Sequence, residues 1–141
     1  MPSIEGGCLC GDVRYTTTAE PVVVALCHCT HCQRQSGAAY SVNVGVPKGA
    51  LQFTRGRTQV YADTGGSGQP VYRHFCGRCG SPILSDVVAR PTLDWVKAGT
   101  LDDTSWVRPT LALWCDSAQP WVEANDMPAG VQTFAQGPKA A

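Results

Sequence analysis

The sequence predicts a mainly β domain, and three observations carry that reading. Apolar runs are short and rich in Val, Thr and aromatic residues, and several alternate with polar residues as half-buried strands do. Glycine and proline, 15 and 10 of 141 residues, recur along the whole chain and punctuate those runs. Only residues 29–36, closed by Gly37, read as a helix. A chain of this length can bury a core of its own, and it carries no internal repeat.

In order, the expected strands are residues 11–17, 21–27, 40–47, 51–54, 58–62, 71–75, 93–98 and 110–114. Lys48-Gly49, Arg55-Gly56, Gly65-Gly66-Ser67-Gly68 and Arg90-Pro91 separate them. A brief turn is expected over 101–104. Residues 1–127 read as the domain, and 128–141, small and polar with Pro and Gly, as a loosely ordered C-terminal tail.

Eleven basic and eleven acidic side chains give zero net charge and are intermixed, so no basic footprint for nucleic acid or anionic lipid stands out. Met1-Pro2-Ser3-Ile4-Glu5 has no basic region leading into an apolar run, so no signal peptide is expected. The apolar run 22–26 is strand-length and far below a membrane span of about 20 residues. These features predict a cytoplasmic protein with no membrane and no nucleic-acid partner.

Seven of the eight cysteines fall into three clusters: Cys8-x-Cys10, Cys27-x-Cys29-x-x-Cys32 and Cys76-x-x-Cys79. Disulfide scaffolds are usually secreted and spread their cysteines widely, whereas these spacings are those of metal knuckles. Residues i and i+2 of an extended chain share a face, so each x-spaced pair can aim two thiolates at one ion. Cys76-Gly77-Arg78-Cys79-Gly80 is a tight turn whose glycines let amide N–H groups face sulfur. Cys8 and Cys10 need a distant pair, and Cys76 and Cys79 supply one, closing a four-cysteine structural site. Cys27, Cys29 and Cys32 remain as a triad whose fourth position is open to water, substrate or another side chain. His28, His31, His74 and Cys115 are the candidate intruders. His28 alternates with two ligands and points away from them, and Cys115 reads as a small buried residue.

Three segments then carry a resemblance. They are Gly7-Cys8-Leu9-Cys10-Gly11-Asp12-Val13-Arg14-Tyr15, the stretch from Cys27-His28-Cys29 to Gln35-Ser36-Gly37, and Phe75-Cys76-Gly77-Arg78-Cys79-Gly80-Ser81-Pro82. With Ala98-Gly99-Thr100-Leu101-Asp102-Asp103 and Leu113-Trp114-Cys115-Asp116, they resemble the glutathione-dependent formaldehyde-activating enzyme family, which includes the centromere protein V domain. The resemblance implies an Mss4-like fold of several small antiparallel sheets around zinc sites. It implies two zinc ions, a structural one on Cys8, Cys10, Cys76 and Cys79 and a catalytic one on Cys27, Cys29 and Cys32. It also implies a carbon–sulfur lyase acting on glutathione and formaldehyde, like an S-(hydroxymethyl)glutathione synthase. Relatives commonly carry an apolar residue where this chain has Cys115.

A thiol at the open position would be held as thiolate and would add to a small aldehyde. Three thiolates make the ion a weak Lewis acid, so sulfur attack suits the site better than water activation, for which neutral imidazole ligands are used. Arg34 and Arg73 are the candidate cations for an anionic thiol such as glutathione, and 65–68 is a candidate lid. Tyr40, Tyr61, Trp95, Trp106, Trp114 and Trp121 read as core or turn aromatics rather than substrate platforms. Asp102 and Asp103 fit a capped turn as well as a general acid. The competing readings are a zinc-stapled binding module for a protein partner and, behind it, redox sensing by the triad.

Overall fold

The computed structural model describes residues 3–122 and 127–137 and confirms a mainly β chain. Strands β1 (Ile4–Gly7), β2 (Arg14–Thr17) and β5 (Gln52–Arg55) form one sheet in the order β1-β2-β5. The second sheet holds β3 (Val23–Cys27), β4 (Ser41–Pro47), β6 (Gln59–Thr64), β7 (Pro70–Phe75), β8 (Pro82–Val87), β9 (Leu93–Lys97), β10 (Leu111–Leu113) and β11 (Gln132–Thr133). Its order is β11-β10-β3-β4-β9-β8-β7-β6, antiparallel except that β10 runs parallel to both β3 and β11. Among the described residues the one α-helix, α1 (Thr30–Ser36), begins two residues after β3.

Eight expected strands are present, shifted by up to three residues at their ends. Three others were not expected, and each hides for a physical reason. In β8, Ile83, Leu84 and Ser85 are all buried, so the two faces show no alternation, and Pro82 occupies a strand's first position. In β1, Gly6 and Gly7 read as breakers, yet they permit close approach. A Cβ on Gly6 would lie 2.3 Å from the Tyr15 hydroxyl and 2.4 Å from the Thr100 carbonyl. The third, β11, lies in the segment expected to be loose, where Phe134 N–H also donates to the Ala112 carbonyl at 2.8 Å. The turn expected over 101–104 is a 3-10 turn at Ala98–Thr100, after which Leu101 bridges back to Gly6.

The large sheet sorts its side chains by the two-residue period. One face gives Val24, Val44, Val46 and Val96 to a core shared with Val13, Tyr15, Ile83 and Leu101. The other face places Ala25 beside Asn43 and Asn43 beside Lys97, while Gly45, Trp95, Ser85 and Arg73 run side by side on β4, β9, β8 and β7. That second face is the floor of a cavity.

Candidate metal centres

The first cluster joins the two sheets. Cys8 follows β1 and Cys76 follows β7, and the sulfurs of Cys8, Cys10, Cys76 and Cys79 all lie within 4.8 Å of one another. A tetrahedral ion with metal–sulfur bonds of about 2.3 Å sets its sulfurs about 3.8 Å apart. Cys8 and Cys10 sulfurs are 3.6 Å apart, and Cys10 and Cys76 sulfurs 3.8 Å, far beyond a disulfide bond and close to that edge. Backbone N–H groups of Val13 and Arg78 donate to Cys8 and Cys76 sulfurs at 3.3 and 3.4 Å. Bonds at Ser81, hydroxyl first and backbone next, hold Cys79 down at about 5. Cys10 is pushed up to about 11: a backbone bond at Asp12 lowers it, but burial and the three neighbouring sulfurs outweigh that bond. Thiols packed this closely cannot all ionise unless a cation joins them, and the donor set fits a closed four-thiolate site.

The second cluster is built by a strand end and a helix start. Cys27 ends β3, and Cys29 caps α1 with extended backbone, its sulfur accepting from Cys32 N–H at 3.2 Å. Gly37 ends the helix at φ 70, a left-handed conformation that favours glycine. Cys27, Cys29 and Cys32 sulfurs lie within 4.8 Å of one another, so this set too fits a metal ion, with three ligands. The three are not equivalent. Neighbouring sulfurs Cys29 and Cys32 push Cys27 up, whereas Cys32 is lowered by Cys27 and Cys29 and further by Lys97 and the Ser41 hydroxyl.

Charge around Cys32 is arranged by buried side chains. Arg73, 5% exposed, directs Nη1 at Cys32 Sγ (3.8 Å) and Nε at Asp63 Oδ2 (2.9 Å). Lys97, also buried, donates to Asn43 Oδ1 at 2.7 Å, and Asn43 donates to the Ser41 hydroxyl at 2.9 Å. Burial lowers Lys97, and the nearby Cys32 charge offsets part of that effect. Asp63 also meets His31 Nδ1 at 2.7 Å.

The candidate intruders stay out of the triad. His28 is buried against the Tyr40 ring, His74 meets the Thr58 hydroxyl at 2.8 Å, and Cys115 donates to the Ala112 carbonyl. Asp102 pairs with Arg14, and Asp103 accepts from Ser105 N–H, so both belong to turn contacts rather than to the cavity. Of the two expected cations, Arg73 lines the cavity beside the triad, while Arg34 is exposed in the last turn of α1, outside that lining. Sequence reasoning missed Lys97, Asn43, Ser85 and Asp63. The available signal was phase: Lys97 and Asn43 occupy alternate positions of strands that otherwise read as apolar.

The three cysteines open on a cavity of about 710 Å3 floored by the large sheet. Two aromatics read as core or turn residues, Trp95 and Trp114, line it instead. The candidate lid, 65–68, lies in the turn between β6 and β7, and its Gly65, Gly66 and Ser67 line the cavity. Among the described residues no helix is long and apolar enough to cross a membrane.

The sequence model of one family, described as "Glutathione-dependent formaldehyde-activating enzyme", matches residues 3–117. A Halomonas elongata protein named "Putative glutathione-dependent formaldehyde-activating enzyme" is 32% identical over 84 residues, which cover 57% of this chain and 54% of that protein. The match thus spans about half the length of that relative. A crystal structure of a Rhodobacter sphaeroides protein superposes with a TM-score of 0.57 at 21% identity, covering 74% of this chain and 91% of that one, a likeness of fold.

Proposed function

The chain belongs to the glutathione-dependent formaldehyde-activating enzyme family, and from that premise we propose that it is a cytoplasmic carbon–sulfur lyase that joins a thiol to a small aldehyde. The observation that carries the reading is the three-cysteine cluster, which has a buried cationic flank and opens on a cavity. A zinc ion held there would keep a fourth, exogenous thiol deprotonated near neutral pH. The four-cysteine cluster would hold the second, structural zinc.

The chain's own part is electrostatic and steric. Arg73 places a guanidinium beside the three thiolates, and Lys97 an amine whose charge burial opposes, which offsets part of the negative charge left when these meet one divalent ion. Asp63, held between His31 and Arg73, fixes the guanidinium in place. The reaction is an addition: sulfur forms a bond to the carbonyl carbon, and the carbonyl π pair moves to oxygen. Oxygen takes the proton that the thiol released, and nothing is oxidised. Glutathione with formaldehyde would give S-(hydroxymethyl)glutathione.

A Cys29→Ser variant tests this. It should lose one metal ion per chain and at least a hundredfold in kcat/KM for thiol–aldehyde addition, while the four-cysteine site keeps its ion. Full metal content with full activity in that variant would sink the assignment. A wild-type chain that holds the metal and adds no thiol to any aldehyde would favour the binding module.

A further inference from the structure

The cavity changes character with distance from the sulfurs. Four of its polar groups, Asn43, Lys97, Arg73 and His31, gather at the cysteine end, and each has a partner within the chain. The rest of the wall is mainly apolar, with Val23, Leu93 and Trp95 together, Val71 paired with Val87, and Trp114, though Thr64, Arg90, Thr92 and Gln136 also line it. Two glycines make that wall. A Cβ on Gly45 would stand 3.0 Å from Val23 and 3.3 Å from both Leu93 and Trp95, so its absence lets these side chains meet over β4. A Cβ on Gly66 would stand 2.8 Å from the Trp114 ring, which packs on that glycine instead. Trp114 holds its place with φ 57, the one non-glycine residue with positive φ among those described, a backbone strain that marks a constrained position.

Among the polar residues of this wall, Ser85 is set apart by its hydrogen bonding. Ser85, 5% exposed and set between Trp95 and Arg73 on the sheet, has a hydroxyl with no hydrogen-bond partner. Buried hydroxyls are nearly always paired, so an unpaired one lining a cavity points to a ligand group that meets it. Formaldehyde, with two heavy atoms, leaves such a wall unused. Pockets of a few hundred Å3 with apolar walls and few placed polar groups are the usual shape for larger ligands.

We propose that the cavity is a subsite for a hydrophobic body on the carbonyl substrate, with Ser85 as the hydrogen-bonding post for a polar group on that body. The inference rests on the thiol–aldehyde reading above. The thiol's sulfur must sit at the cysteine end, among the charged groups, so the substituent on the carbon it attacks extends along the wall. The substrate class is an aldehyde with an aryl or branched alkyl group, not formaldehyde alone.

The test compares phenylacetaldehyde with formaldehyde, using one thiol and the metal-loaded protein. The kcat/KM for phenylacetaldehyde should be at least tenfold higher, and an isosteric Val23→Thr/Val87→Thr variant should cut that ratio at least fivefold. Turnover of formaldehyde with no preference for phenylacetaldehyde would overturn the subsite and leave the lyase assignment standing. If no thiol–aldehyde pair is turned over, the lyase reading fails. The subsite is then judged by 2-phenylethanol binding, followed through the fluorescence of Trp95 and Trp114, and a lack of saturable binding would overturn it. Ser85→Ala should weaken 2-phenylethanol binding about tenfold, one hydrogen bond's worth, with an unchanged or higher Tm. A lowered Tm with unchanged binding would assign the hydroxyl to the fold and refute its role as a post.

Discussion

Replacing Arg73 with methionine isolates the electrostatic part of the three-cysteine site. The change keeps the length and much of the apolar stem but removes a guanidinium 3.8 Å from Cys32 Sγ and 2.9 Å from Asp63 Oδ2. Unit charges about 4 Å apart interact by about 4 kcal/mol at an effective dielectric of 20. Water entering the gap and the remaining Lys97 charge reduce that, so about 2 kcal/mol should be lost from metal binding. That is roughly thirtyfold in affinity at 1.4 kcal/mol per decade. Asp63 keeps His31, so folding should cost less than the roughly 3–5 kcal/mol of an orphaned buried charge. Titration with a chromophoric chelator reads the affinity, and denaturant melts report stability separately. Arg73→Lys should recover part of the affinity, because charge returns without the planar fork that spans Cys32 and Asp63. An affinity within threefold of wild type in a folded Arg73→Met protein would refute the claim that this cation stabilises the thiolates.

Three further outcomes follow from the geometry. Gly6→Ala should destabilise by about 3 kcal/mol in urea melts, since its Cβ would meet Tyr15 and the Thr100 carbonyl below contact distance. Tyr15, pushed up to about 12 chiefly by burial, is raised above its unfolded value of about 10, so it favours the fold fully below pH 10 and loses that contribution as pH rises to 12. Wild-type stability should therefore fall over that window by about 2 kcal/mol more than that of Tyr15→Phe. Cys115→Ala should leave metal content unchanged, because that thiol points at the Ala112 carbonyl; loss of an ion in elemental analysis would place it in the second site.

Spacing revealed the metal sites because short loops fix where neighbouring thiols can point, and the pairing of Cys8 and Cys10 with Cys76 and Cys79 followed from ligand number. Helix α1 was legible from its Gly37 stop. Strand β8 was not, because burial on both faces removes alternation, and β1 was not, because Gly6 and Gly7 serve close packing rather than a turn. The polar flank of the triad was harder still. Arg73 was legible as a candidate cation, but Lys97 and Asn43 lie far from it in sequence and join it only through the β4-β9-β8-β7 register. Trp95 and Trp114 look like any core aromatic until the glycines beneath them are seen in space.

The two cysteine clusters predict one closed and one open metal site on this chain. The most direct test is zinc per chain by elemental analysis, before and after zinc loading, and again after brief exposure to a mild chelator. Two zinc ions per chain are expected once loaded and one after the chelator, with the survivor lost when Cys8, Cys10, Cys76 or Cys79 is replaced and kept when Cys27, Cys29 or Cys32 is. One zinc per chain in every state would contradict this expectation.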